Sequence, residues 1–319
     1  VEVEVRVVSG NLAGRVSVIG GFVVMVIVFA FSQPDTFLQA STGRNILDQS
    51  VVPVILAAGL TFVLVTGEFD LSFTATLGLS AALVIVLMTH DVPVLVALLI
   101  GIVASGLIGL VVGVLVTLGR ASSFIVTLAV GSAVTGLELA TTGNKTIYED
   151  IPAGFADLSQ HEILGLRWPV WFAFLVVIGT AVLLHATRFG RQARAIGGNA
   201  QAAYLAGVKV RKLKIITFVL VGVLTACAAI ILTSRSASYY PNASAGFLLN
   251  TYAAAFLGAA IGAQSNFTVA GSAFGVVWIT TLQTGLTLNN QPAWTSNLIQ
   301  GVVLAAAVLI ASRGRREAS

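Results

Sequence analysis

Four carboxylates fall where a charge is expensive. Asp48, Asp70 and Glu138 lie in or at the ends of long apolar runs, and Glu68 stands two residues before Asp70. An ionised group in such a place needs a partner, a chain break or wet surroundings. The stretch Gly67-Glu-Phe-Asp-Leu-Ser72 supports two readings. In one, Glu68 and Asp70 mark a helix break that lines or braces a solute path. In the other, 67–70 is a tight hairpin with solvated carboxylates, Asp70 caps the helix that follows, and Ser72 and Thr74 stand in its first turn. Glu138, near the end of its run, reads as wet. Catalytic chemistry is not legible. His90, His161 and His185 sit at or near the ends of apolar runs, and no Ser–His–Asp arrangement can be read. No G-x-x-x-x-G-K-[ST] loop for a nucleotide phosphate appears. The single cysteine, Cys227, lies inside an apolar segment, permits no internal disulfide and reads as a packed thiol. No His and Cys cluster has metal-ligand spacing, so no metal or other cofactor is expected on this chain.

The elements that must position these groups are membrane helices. Of 319 residues, 57% are hydrophobic and only 9% charged, against about 25% charged in a soluble domain. So few charges could not cover a globule in water, so lipid is the expected solvent. The apolar runs are long and continuous, unlike the short alternating strands of a barrel. They predict helices over 17–32, 46–66, 71–89, 92–118, 122–141, 169–186, 214–233, 247–263, 267–286 and 294–312. The expected fold is therefore an all-α integral membrane bundle of about ten spans, one domain over 1–319. The first run lacks a following cleavage site and reads as a retained helix. Lys and Arg fix the orientation. With the N-terminus inside, Arg6, Arg15, Arg120, the 188–214 loop and Arg313–Arg316 are cytoplasmic, and only Arg44, Lys145, Arg167 and Arg235 fall outside. Both termini are then cytoplasmic. The formal charge of +4 sits between apolar runs, not on one face, so nucleic acid is not an expected partner.

The most informative loop is 187–214. It is basic and amphipathic, and broken by Gly197, Gly198 and Gly207. Asn199 is a good N-cap and Gly207 a good stop, predicting a short helix over 199–206. Such a helix could be a handle that a second protein pushes. It could equally be a positive loop lying on lipid headgroups.

Gln201-Ala202-Ala203-x-x-x-Gly207 resembles the Glu-Ala-Ala-x-x-x-Gly loop of ATP-binding-cassette (ABC) importer permeases. The wider string 195–208, Ala-Ile-Gly-Gly-Asn-Ala-Gln-Ala-Ala-Tyr-Leu-Ala-Gly-Val, is similar to the ribose-type branch of monosaccharide permeases. Two further strings agree: Gly59 to Ser72, ending Asp70-Leu-Ser72, and Gly119-Arg-Ala-Ser-Ser-Phe-Ile-Val-Thr-Leu128. The likeness runs from about residue 45 to the C-terminus. Departures are Gln201, where the general motif has Glu, and 259–267, where a Gly-Gly series is usual, so the turn near Gln264–Asn266 is expected to differ.

The resemblance implies a plasma (inner) membrane permease that imports a ribose-like sugar by alternating access. It implies three kinds of protein partner: a separate ATPase subunit that binds ATP-Mg, a second permease copy or paralogue, and a periplasmic or lipid-anchored binding protein. Gly197, Gly198, Asn199, Gln201, Ala202, Ala203 and Gly207 would form the coupling loop. Candidates for the solute path or helix break are Asp70, Ser72, Phe124, Thr127, Asn250 and Gln283, with Phe124 and Phe256 as walls. Asp48, Gln49, Glu138, Asn289 and Asn290 are further polar groups within the runs, and each also reads as an interhelical hydrogen bond. Trp168, Trp171, Trp294, Tyr239 and Tyr240 read as interface anchors. Alternative cargoes are a nucleoside, a branched-chain amino acid or an autoinducer. A gradient-driven secondary transporter is the rival class, with Asp48, Asp70 and Glu138 as its coupling carboxylates.

Overall fold

The computed structural model describes residues 2–119, 121–262 and 266–316, with side chains described for 15–119, 121–262, 266–292 and 294–309. Arg120 and 263–265, including part of the turn expected to depart from the pattern, lie outside the described residues, as do the side chains of Arg6 and Arg313–Arg316. The chain is mostly helical: α1 Glu2–Ser32, α2 Pro34–Phe37, α3 Ala40–Val65, α4 Phe73–Thr89, α5 Val94–Leu118, α6 Ser123–Thr142, α7 Ala153–Gln160, α8 Trp168–His185, α9 Arg188–Gly198, α10 Ala200–Leu205, α11 Val210–Ser236, α12 Phe247–Ile261, α13 Val269–Leu288 and α14 Ala293–Arg316. One two-stranded antiparallel ribbon, β1 Glu162–Ile163 with β2 Leu166–Arg167, precedes α8. Among the described residues, seven helices are long and apolar enough to cross a membrane, and three shorter apolar ones accompany them: α4, α12 and 294–309.

Several expected boundaries move, each for a physical reason. The 187–214 segment is helical through Gly197, and the break expected at Gly197 and Gly198 falls directly after Gly198, at the extended Asn199 between α9 and α10. Gly197, like Gly190, also serves close approach: a side chain at Gly190 would overlap the Leu184 carbonyl, and one at Gly197 the Val65 carbonyl, whereas Gly198 has open space around it. The basic stretch 210–214 is helical rather than loop, because Leu213 joins a buried cluster with Ala193, Ile196 and Ala203. The segment 142–168, between the helices expected over 122–141 and 169–186, holds α7 and the ribbon. It is pinned by an antiparallel bridge between Ile147 and Tyr239 and by a hydroxyl bond between Ser159 and Ser234.

The chain divides into two compact units, 1–57 with 249–319, and 58–248. In the first, Phe29 lies in a notch at Gly285 and packs with Met25, Phe37, Leu282 and Leu286. Gly258 and Gly271 let α12 and α13 touch backbone to backbone. In the second, α5 and α11 cross in the same way. A Cβ at Gly109 would overlap the Phe218 carbonyl, one at Gly222 the Ser105 carbonyl, and one at Gly113 would lie 2.9 Å from the Ile215 Cα. Lipid offers no hydrophobic drive between helices, so such close packing carries the association. Gly222→Ala is therefore expected to cost about 1–3 kcal/mol, read as a lower Tm of the detergent-solubilised chain. Gly179→Ala, with open space around it, should leave Tm unchanged or raise it slightly.

Candidate functional site

The site grows from a helix that does not restart where it should. After α3 ends at Val65, α4 begins only at Phe73, not at 71 as the apolar pattern predicts. The residues between run along α6. The Phe69 N–H donates to the Ser123 hydroxyl at 3.1 Å, and the Leu71 N–H to the Thr127 hydroxyl at 3.0 Å. Ser72 stands against Gly131, where a Cβ would lie 3.4 Å from the Ser72 Cα. From Ser123 to Gly131 a helix climbs about 12 Å. The break thus rises well into the depth of the bundle, with α6 hydroxyls replacing the helical bonds its backbone lacks.

Asp70 closes this break. It is 3% exposed, and one carboxylate oxygen accepts from the Ser72 N–H at 2.8 Å and the Ser72 hydroxyl at 2.6 Å. Asp70 therefore organises the start of α4, but as a buried group and not the solvated one of the hairpin reading. Glu68 is half-buried and takes an ion pair from Lys214 in the first turns of α11. That partner was not legible, since 146 residues separate the two.

The same end of the unit carries the basic segment. Asn199 ends α9 and caps α10, its side chain accepting from the Ala202 N–H at 2.9 Å. Gly207 takes φ +85°, the left-handed conformation that suits glycine after a helix. Ala203 points inward against Ala193, Ile196 and Leu213. Gln201 and Ala202 are exposed, and so are the two large side chains of α10, Tyr204 at 64% and Leu205 at 77%. Sequence reasoning missed Tyr204 and Leu205 as the outward face; their position just after the inward Ala203 was the available signal.

Among the solute-path candidates, the structure brings together Asp70, Ser72 and Thr127. Phe124 is exposed. Asn250, half-buried, and Gln283, likewise half-buried, belong to the other unit, as does Phe256, whose ring packs edge-on against Phe267 at 5.3 Å. Two expectations at the opposite end of α6 are overturned. Glu138 is not wet: it is 1% exposed and accepts a 2.7 Å bond from the Tyr239 hydroxyl. Tyr239 is accordingly buried and not an interface anchor, whereas Tyr240 is exposed. Burial, and then the adjacent Glu138, push the Tyr239 phenol upward, so it stays protonated and donates. Gly78 makes the room, because a Cβ there would overlap the Glu138 carboxylate.

Comparison with known proteins bears on this arrangement. Residues 44–308 match the family described as branched-chain amino acid transport system / permease component. The chain belongs to this family. The ribose import permease protein RbsC of Bacillus subtilis is 35% identical over 291 residues, 91% of this chain and 90% of its own length. The L-arabinose ABC transporter permease protein AraH of Azospirillum brasilense is 32% identical, covering 94% and 88%. The autoinducer 2 import system permease protein LsrC of Salmonella choleraesuis is 32% identical, covering 92% and 84%. The resemblance to ribose-type permeases read from the sequence is borne out. No solved structure matches. Permeases of this kind are multi-pass membrane proteins, in keeping with the seven long apolar helices.

Two outcomes test the geometry. Thr127→Val keeps the shape but orphans the Leu71 N–H, at a cost of about 1–3 kcal/mol in detergent unfolding; Thr127→Ser should restore most of it. Reversing either charge of the Glu68–Lys214 pair should destabilise, and the double reversal recover about 0.5–3 kcal/mol as a coupling energy in a double-mutant cycle. Strictly additive losses would mean the pair contributes nothing.

Proposed function

We propose that this chain is the membrane-spanning subunit of an ABC importer that carries a ribose-like monosaccharide inward by alternating access. The observation that carries the reading is α10: a capped, rigid, six-residue helix whose apolar side chains Tyr204 and Leu205 are offered outward while Ala203 seats it on the protein. Lipid contact alone does not call for a rigid cap. A socket on a separate ATPase does, because a push is transmitted only through a stiff element. The names of the relatives, RbsC and AraH, support a sugar as cargo.

The chain lies in the plasma (inner) membrane with about ten spans and both termini cytoplasmic. Seven long helices and three shorter ones supply the spans. Gly197 against Val65, and Phe69 against Ser123, put the ends of α3, α9 and the start of α6 together, as this topology requires. ATP-Mg binds the ATPase partner, and its closure moves α10. Movement passes through Ala203 and Leu213 to α11, and through Gly197 and the Glu68–Lys214 pair to the break at 66–72. Net transport requires that the solute bind the outward and inward states differently. A second permease chain and a periplasmic or lipid-anchored binding protein complete the assembly. LsrC favours autoinducer 2 as the second cargo reading.

Proteoliposomes holding this chain, its ATPase and its binding protein should accumulate ribose or L-arabinose only with ATP inside. Tyr204→Asp with Leu205→Asp should abolish co-purification of the ATPase and leave the chain folded. Uptake by this chain alone on a proton or sodium gradient would rule the reading out.

A further inference from the structure

A cavity of about 300 Å³ opens beside the far end of α11, away from α10. Gly78 of α4, and Arg235, Ser238, Tyr239, Tyr240 and Ala243 from the end of α11 and the segment after it, are among its walls. Its size stands at the lower limit of ligand pockets, roughly 300–1,000 Å³, which suits one small ring and not an oligomer. The Ser238 hydroxyl is buried, 3% exposed, and has no hydrogen-bond partner. Burying a hydroxyl without a partner is costly, and a ligand hydroxyl would supply one. Tyr239 is immobilised as a wall because its own hydroxyl is taken by Glu138 behind Gly78. The exposed ring of Tyr240 offers a second apolar face at the rim. Arg235 is the one charged residue of the lining and already has an interaction. The lining therefore suits a neutral polyol better than an amino acid, whose carboxylate and ammonium would each need a free opposite charge.

We propose that this cavity is a holding site for a neutral monosaccharide at the end of the chain where solute enters, with Ser238 as its hydrogen-bonding group. This rests on the sugar-permease reading above. Solute released from a binding protein would pause against Tyr239 and Tyr240 before the break at 66–72 responds.

The test uses the complete importer in proteoliposomes, with ribose and L-arabinose as probes and both uptake and ATP hydrolysis measured. Ser238→Ala removes the hydroxyl alone. Ala243→Phe, at an exposed position, fills the cavity from its rim. Sugar moved per ATP hydrolysed should fall about fivefold in Ser238→Ala, the effect of one lost hydrogen bond, and further in Ala243→Phe, while ATP hydrolysis holds. Wild-type ratios in both variants overturn the cavity assignment and leave the parent reading standing. Equal falls in uptake and hydrolysis mark a structural role and overturn it too. Absence of ATP-driven uptake of either sugar by the unmodified importer defeats the parent reading, and the cavity assignment with it.

Discussion

Every non-helical backbone group inside a bilayer must find a partner in the protein, because lipid supplies none. In this chain that constraint is concentrated at 66–72. Two α6 hydroxyls, those of Ser123 and Thr127, accept the Phe69 and Leu71 N–H groups, and the Asp70 carboxylate accepts from Ser72. Remove these and the segment has two alternatives: to extend α4 downward as helix or to leave orphan donors. The three polar side chains therefore set where α4 begins, and with it the placing of Gly78 against Glu138 and of Ala75 and Leu79 against Val134.

The unwound segment is held differently from the helices around it, by side-chain bonds and not by a helical ladder. Helices joined by glycine-mediated backbone contacts, as α5 and α11 are at Gly109 and Gly222, move as units because they have no room to slide. A segment held by a few side-chain bonds can reorganise one bond at a time. The basic segment touches it from two sides, Gly197 on Val65 and Lys214 on Glu68. Ala203 and Leu213 belong to one buried cluster with Ala193 and Ile196, so α9, α10 and α11 share a core. Displacement of α10 therefore has a continuous packed route to the break.

How much of this was legible depends on range. The class was plain from continuous apolar runs, since the period and length of a membrane helix are local properties. The α10 cap was legible too, because Asn199 and Gly207 act within four residues of what they cap. Three things were not. The close approach at Gly197 is hidden because the Val65 carbonyl it meets belongs to α3, far along the chain. Glu138 read as wet because its partner Tyr239 is 101 residues away. The pair Glu68–Lys214 was hidden for the same reason. At the break, the apolar pattern over-extended α4 to 71. Asp70 reads either as a solvated cap or as part of a solute path, and its burial with its bonds to Ser72 exclude the solvated form.

The embedded carboxylates bear on where the energy for transport comes from. A gradient-driven carrier needs a carboxylate that can take up and release its ion as the protein changes state, so it must be reachable and not committed elsewhere. Asp70 spends its oxygen on Ser72, two residues away, where loss of charge would weaken the bonds that start α4. Glu138 is enclosed behind Gly78 and holds Tyr239, which in turn pairs by backbone with Ile147. Asp70 and one oxygen of Glu138 are thus tied into structural hydrogen bonds, while the second Glu138 oxygen is buried without a hydrogen-bond partner.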